Sequence, residues 1–371
     1  MSNYLVTVED FHKLFIDDVP FLDVRAEVEF EKGHFPTSYN IPILNNKERE
    51  IVGICYKNKG REAAISLGQS LVKGDLKETR IKAWYDFAQT HHNTHIYCWR
   101  GGLRSIYACQ WISETGIEVP KIDGGFKALR RHLIEETENA AKQVPMIRIG
   151  GKTGTSKTTL INSVEFNTDL EGHANHRGSS FGRRVSGIKT QIDFENSLGI
   201  DLIKKRSRFP NRTLVLEDES RRIGDCVIPD KFLNAMNSSP IGIIEMPIDF
   251  RVNHIVKEYV VDMYEEFLDS YPENGWDLFV DYLTQSLARV QKRLGYERFI
   301  KIKGMMDKAL EVKALDRSTN KHDGWVKELI INYYDPMYEY QLEKKKNQIV
   351  FKGTYDDVLE WALEKSKTTK L

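Results

Sequence analysis

Cysteine is scarce. The four in 371 residues, Cys55, Cys98, Cys109 and Cys226, are too few and too scattered for a disulfide framework, and no CxxC pair offers a zinc site. A reducing compartment fits that usage. No run approaches the roughly 18 apolar residues that a membrane span needs, and the opening stretch Met1–Phe15 lacks a basic segment followed by an apolar one. The expectation is a cytoplasmic protein with no membrane partner. Neither sign of charge is in excess: 54 Lys and Arg balance 54 Asp and Glu, so no global basic field marks a polyanion-binding protein and any nucleic-acid surface must be local. No internal repeat or low-complexity segment occurs. Apolar residues make up 40%, enough for real cores, which excludes a disordered chain, and the length suggests about two to three domains.

Short apolar strands alternate with amphipathic helices up to about residue 140, the pattern of a parallel α/β layer structure. Strands are predicted over 21–25 and 95–99 and a third strand and turn over 119–125, followed by a helix over 126–139 that closes a first domain, 1–140. The polar connector 140–143 leads to a second α/β unit, 145–371. Its predicted strands are 145–149, 212–218 and 241–246, continuous apolar runs of the kind buried on both faces. From about 250 to 371 the pattern is helical: Val252, Val256, Tyr259, Val260, Met263 and Phe267 form one stripe, with further helices over 276–294 and 296–310.

The string Cys98-Trp99-Arg100-Gly101-Gly102-Leu103-Arg104-Ser105 puts a cysteine at the end of a strand, before a glycine loop and a helix start. Successive loop amides, the helix N-terminus, Arg100 and Arg104 would all stabilise a thiolate or a bound anion, which makes Cys98 a candidate nucleophile rather than an inert buried thiol. Upstream, Asp23-Val24-Arg25, Glu29-Phe30 with Gly33-His34-Phe35-Pro36, and Asn40-Ile41-Pro42 complete a pattern that resembles the rhodanese-like domain over most of 1–140. The resemblance implies a cysteine that carries a transferable chalcogen, with Asp23, Arg25 and His34 as scaffold. Cys98 and Arg104 also have the C-x5-R spacing of cysteine phosphatases, a reading that the spacing leaves open.

Gly151-Lys152-Thr153-Gly154-Thr155-Ser156-Lys157-Thr158, between a strand and a helix, reads as a Walker A loop in which Ser156 stands where the pattern has glycine. The diphosphate-binding candidates are Gly151, Gly154, Thr155, Ser156, Lys157 and Thr158: loop amides cradle phosphates, Lys157 reaches their oxygens and Thr158 can ligand Mg²⁺. The acidic strand end Glu217-Asp218 could hold Mg²⁺ as a Walker B element does, or simply face solvent. Thr158 and Asp218 are the candidate Mg²⁺ ligands, and no tightly bound cofactor is expected. In the irregular segment Asp169–Gly182, Arg177, Ser179 and Ser180 are candidate substrate contacts. Arg221 and Arg222 are candidate phosphate contacts.

The Cys98 loop, the phosphate loop, Gly60-Arg61-Glu62-Ala63-Ala64, the segments 169–182 and 217–224, and Tyr333-Tyr334-Asp335-Pro336-Met337-Tyr338 together resemble the tRNA 2-selenouridine synthase family over nearly the whole chain. That resemblance implies an N-terminal rhodanese-like α/β domain followed by a P-loop α/β domain with a helical C-terminal part. It implies a transferase that S-geranylates wobble 2-thiouridine in tRNA with geranyl diphosphate and then replaces the sulfur by selenium from selenophosphate. Cys98, Arg100 and Arg104 would be catalytic, and an enzyme that supplies selenophosphate is a candidate partner. For tRNA the local basic groups are Arg183 and Arg184, the run Lys204–Arg208, and Lys292, Arg293, Arg298, Lys301 and Lys303. Tyr333, Tyr334, Tyr338 and Trp325 are aromatic candidates for base stacking or a geranyl pocket, or for the core. Two competing readings are a C-x5-R cysteine phosphatase with a nucleotide-binding regulatory domain, and a chalcogen sensor without turnover.

Overall fold

The computed structural model describes residues 5–311 and 320–368. They form two compact units: Met1–Asn139 with Thr190–Arg208, and Ala140–Lys189 with Phe209–Leu371.

The first unit is built on a parallel sheet of five short strands, β1 (Leu5–Val6), β2 (Phe21–Asp23), β3 (Ser38–Asn40), β4 (His95–Tyr97) and β5 (Lys121–Ile122), in the order β1-β5-β4-β2-β3. Helices cover both faces, so β2 and β4 are buried throughout and read as apolar runs rather than alternating ones. Side-chain alternation splits the core. Phe21 and Tyr97 join Phe11, Phe35 and Phe126 on one face, while Leu22 and Ile96 join Trp84, Ala108 and Ile112 on the other.

The helix Gln191–Arg208 belongs to this unit although it lies far along the chain. Asp193 accepts the His34 N–H at 2.8 Å, Asn196 donates to the His34 carbonyl at 2.9 Å, and Ile200 and Ile203 enter the cluster that contains Phe11 and Leu133. The sequence boundary at 140–145 does not foresee this return, because contacts across 60 residues or more leave no local period.

The second unit has its own parallel sheet, β6 (Met146–Gly151), β7 (Asn167–Thr168), β8 (Leu214–Glu217), β11 (Ile241–Ile244) and β12 (Ile349–Gly353), ordered β12-β11-β6-β8-β7. Between β8 and β11 lies a small hairpin, β9 (Arg222–Ile223) with β10 (Cys226–Val227). β12 corrects the expectation that everything after about 250 is helical: after a helical layer the chain returns to the sheet edge, and the helix Tyr355–Ser366 packs Val358, Trp361 and Ala362 against Ile149 and Val215. β12 was invisible to periodicity because an edge strand is half exposed and carries Lys352. The helical layer closes over its own core of Val256, Met263, Phe279, Leu283 and Trp325. The stripe through Val252 and Phe267 is not uniformly α-helical. A π-helical turn at Lys257–Val261, and another at Ile330–Tyr334, widen the coil by one residue and bring Tyr259 and Tyr334 into buried positions.

Candidate functional site

In the first unit, β4 ends at Tyr97 and the chain turns through Cys98–Gly102 into the helix Leu103–Ser113. The turn is locked from outside. Phe126 and Lys127 donate their N–H groups to the carbonyls of Cys98 and Trp99, at 2.9 and 3.1 Å, and Lys121 Nζ donates to the Gly101 carbonyl at 3.0 Å. Gly125, at φ +58°, lies so close that a Cβ there would sit 2.2 Å from the Cys98 carbonyl oxygen. The motifs upstream are scaffold, as expected. Asp23 and Arg25 form a fully buried ion pair at 2.6 Å, Arg25 donates to the Gly33 carbonyl and lies over Phe126, and Asn40 caps the carbonyls of Asp23 and Arg25. The His34 ring stacks on Phe30.

Cys98 is 2% exposed, and its Sγ lies 3.3 Å from Ser105 Oγ. Arg100 is exposed. Arg104 does not aim a free guanidinium at the sulfur: it makes a two-pronged contact with Glu29 at 2.5 and 3.2 Å, and Arg49 joins the same carboxylate at 3.1 Å. Burial alone would raise the Glu29 pKa, but Arg104 holds it below the usual range. A C-x5-R phosphatase needs that arginine on the phosphoryl group, so this pairing speaks against the phosphatase reading. Cys109 is inert: burial pushes its thiol up to about 12.

In the second unit, β6 runs into the phosphate loop and the helix Lys157–Asn162. Gly154 has φ +83°, and a Cβ there would meet the Arg251 carbonyl oxygen at 2.6 Å, so that position accepts nothing larger. Ser156 takes the left-handed conformation, φ 62° and ψ 37°, that the glycine of the pattern would supply. Its hydroxyl lies 3.2 Å from His254 Nδ1, and His254 Nε2 lies 3.4 Å from Glu258. Thr155 is buried and donates to the Lys152 carbonyl, a structural contact within the loop.

The loop opens on a polar cavity of about 130 Å³. Of the residues expected from sequence, Gly154, Ser156, Lys157, Thr158, Arg177, Ser179 and Glu217 line it. Arg177 is 9% exposed, stacks over Tyr259 and leaves Nη1 without a partner. Ser179 Oγ lies 3.1 Å from the Tyr334 hydroxyl. Burial disfavours the charge on Lys157, yet Tyr338, Glu217, Glu219 and Glu171 around it raise its pKa above the ordinary lysine value. Glu217 is pushed up to about 8 by burial and by Glu219 beside it, and its Oε1 has no hydrogen-bond partner. Carboxylate oxygens of Glu171, Glu217 and Glu219 lie within 4.8 Å of one another, a donor set and spacing that suit a hard divalent cation.

Four expected residues stand elsewhere. Asp218 points to the opposite side of β8 from Glu217, where Arg148 holds it at 2.6 Å and Lys345 at 2.8 Å, so Glu217, Glu171 and Glu219 replace it as candidate Mg²⁺ ligands. The Ser180 carbonyl accepts from Arg289 at 2.7 Å, and its side chain hydrogen-bonds with Tyr334. Arg221 pairs with Asp230 on the exterior, and Arg222 is exposed on the hairpin. None of these four lines the cavity, and neither do Gly151 and Thr155 of the phosphate loop, where a Cβ on Gly151 would lie 2.7 Å from Thr155 Oγ1. Sequence reasoning also missed Glu171, His254, Glu258 and Tyr259 as site residues. Tyr259 had a signal, but it was the signal of a core stripe. The string Tyr334–Tyr338 now has a physical role: Tyr334 and Tyr338 face the cavity, and Asp335 takes Arg251, which also donates to the Thr153 carbonyl of the loop. Trp325 lies in the helical core.

The basic groups divide likewise. Lys204, Lys205 and Arg206 pair with Asp18, Asp201 and Glu136, and Lys301 and Lys303 pair with Glu328 and Asp307. Lys292, Arg293 and Arg298 are exposed around the Gly295 turn, with Tyr296 71% exposed between them.

A loop cysteine on one parallel α/β unit and a P-loop on another mark a two-domain transferase. Comparison with known proteins assigns the halves: the rhodanese-like domain family matches residues 7–132, and the tRNA 2-selenouridine synthase AAA domain matches 144–369. Relatives named tRNA 2-selenouridine synthase include one from Photobacterium profundum, 44% identical over 96% of this chain and 98% of its own length. Another, from Bordetella petrii, is 44% identical over 95% and 94%, and one from Shewanella sediminis is 42% identical over 99% of both. The chain belongs to the tRNA 2-selenouridine synthase family. No helix among the described residues is long and apolar enough to cross a membrane.

Proposed function

We propose that the two units carry out successive steps on the wobble 2-thiouridine of tRNA in the cytoplasm, geranylation at the phosphate loop and selenation at the Cys98 loop. The reading of the second unit rests on one observation: the phosphate cradle converges with buried, partnerless polar atoms of Arg177 and Glu217 on a single cavity. The loop amides and Lys157 hold the diphosphate of geranyl diphosphate, and Arg177 Nη1 supplies a further donor. The thiocarbonyl sulfur attacks C1 of the geranyl group, the allylic C–O bond breaks, diphosphate leaves with its charge held in place, and the base loses its N3 proton to water. Glu171, Glu217 and Glu219 would hold a divalent cation such as Mg²⁺, which would supply charge compensation for that leaving group. No nucleotide hydrolysis is required.

Alkylation then turns a poor leaving group into a good one. The selenium of selenophosphate, at the selenide level throughout, adds at C2, geranyl thiol departs with a proton, and water cleaves the P–Se bond to release phosphate, without net oxidation. Exposed Arg100 attracts selenophosphate to the loop, and Cys98 guides its selenium towards C2 without forming an S–Se bond. A selenophosphate-supplying enzyme is the natural partner. The exposed cations around Gly295 contact tRNA phosphates.

The test is mass spectrometry of nucleosides from a 2-thiouridine tRNA incubated with geranyl diphosphate and then selenophosphate. Lys157→Ala abolishes the geranyl adduct, while Cys98→Ala forms it but loses selenium incorporation at least tenfold. Unmodified nucleoside with the parent protein would overturn the transferase assignment, and selenation of pre-geranylated tRNA by Cys98→Ala at the parental rate would remove Cys98 from the chemistry.

A further inference from the structure

A cavity of about 1100 Å³ in the first unit lies against the Cys98 loop, and the chemistry assigned above does not use it. Trp99, Leu103 and Arg104 of the loop form one wall. Ile43, Leu44 and Trp111 continue it, and the long helix Asn46–Leu71 forms the other side. That helix is poorly packed for its length. Among its residues only Ala64 is buried, and Ile54 and Tyr56, both on the chamber lining, are 55% and 60% exposed. A Cβ built on Gly53, also on the lining, meets nothing within 4 Å. Gly60 breaks the helix midway with φ 81° and ψ −174°, so its two halves are separate rods flanking an open space. Lys32, Lys57 and Arg61 are exposed at the lining beside one exposed acid, Glu50, so an apolar interior has a border that is cationic on balance.

An apolar chamber of this size beside a polar reacting centre, edged by cations, fits a ligand with a long hydrocarbon part attached to an anionic carrier. We propose that it seats the S-geranyl chain of the modified base, with the cations meeting the RNA backbone, so that C2 is presented to the Cys98 loop. This rests on the two-step reading above: the first step makes a base with a ten-carbon apolar substituent, and the second site must accommodate that substituent or expose it to water. Chain burial then selects geranylated over plain thiouridine for selenation. Binding energy from a group remote from the reacting carbon is spent on orienting it.

The test compares anticodon stem-loop RNAs carrying S-geranyl- or S-methyl-2-thiouridine, using the full chain, Gly53→Leu, whose side chain projects into the chamber and narrows it, and Gly53→Ala, which leaves it open. Binding is read by isothermal titration and turnover by selenium incorporation. The parent binds the S-geranyl RNA at least tenfold more tightly than the S-methyl RNA, Gly53→Leu loses that preference by raising Kd for the S-geranyl RNA alone, and Gly53→Ala keeps it. Equal affinity of the parent for both RNAs, or an intact preference in Gly53→Leu with unchanged circular dichroism, would overturn the proposal. A preserved binding preference with no selenium incorporated from the S-geranyl RNA would instead overturn the two-step reading and leave the chamber assigned.

Discussion

At the end of β8, Glu217 faces the polar cavity, whereas Asp218, one residue on, faces Arg148 and Lys345, because successive side chains leave a strand on opposite sides. Their substitutions separate stability from chemistry. Asp218→Ala strips the carboxylate from a pair in which Arg148 is almost wholly buried, and leaves that guanidinium uncompensated, so urea unfolding loses about 3 kcal/mol. Glu217→Gln removes a group that already resists ionisation, so stability stays within about 1 kcal/mol while geranyl transfer and its Mg²⁺ dependence fall. Equal loss of stability in both variants would contradict the division of roles. Arg104 teaches the same lesson: its spacing from Cys98 is that of a phosphate binder, but its guanidinium is taken by Glu29.

At the scale of elements, the helical layer of the second unit depends on buried polar groups as well as apolar stripes. His322 in the helix Asn320–Leu329 is 1% exposed, and its Nδ1 accepts the Trp325 indole N–H at 3.0 Å, which requires a neutral ring. Burial pushes its pKa down from 6.5 to about 4. The unfolded chain therefore binds the proton first as pH falls. The stabilisation is complete above pH 6.5 and is lost as pH falls through about 4, a loss of up to about 3 kcal/mol. His322→Gln, followed by urea unfolding across that range, is expected to lose less stability on acidification than the parent; parallel profiles would show that His322 does not couple to folding.

For the whole molecule, the return of the helix Gln191–Arg208 to the first unit makes that unit depend on residues beyond the phosphate loop. A chain ending near residue 140 lacks Ile200 and Ile203 and exposes the apolar cluster they fill, a cost of about 3–6 kcal/mol at the usual value of burying two such side chains. Weak near-ultraviolet circular dichroism for that fragment, sharpened when residues 190–208 are supplied as a peptide, is the expected result. A fully cooperative native transition without the peptide would refute it.

The amino-acid sequence by itself determined the two α/β layers, the Cys98 loop, the phosphate loop and the helices over 276–294 and 296–310, because a strand's apolar run, a helix's period and a glycine-rich turn are local patterns. It also carried the family, through strings spread along the chain. Tertiary structure alone decided that β12 completes the second sheet and that helix 191–208 belongs to the first unit. It alone gathered Glu171, Glu217, Glu219, His254 and Tyr338 around one cavity, turned Asp218 away from it, and left an apolar chamber beside Cys98. Each of these depends on which way a side chain points and on contacts between residues tens to hundreds of positions apart, and neither leaves a repeat in the sequence from which it could be read.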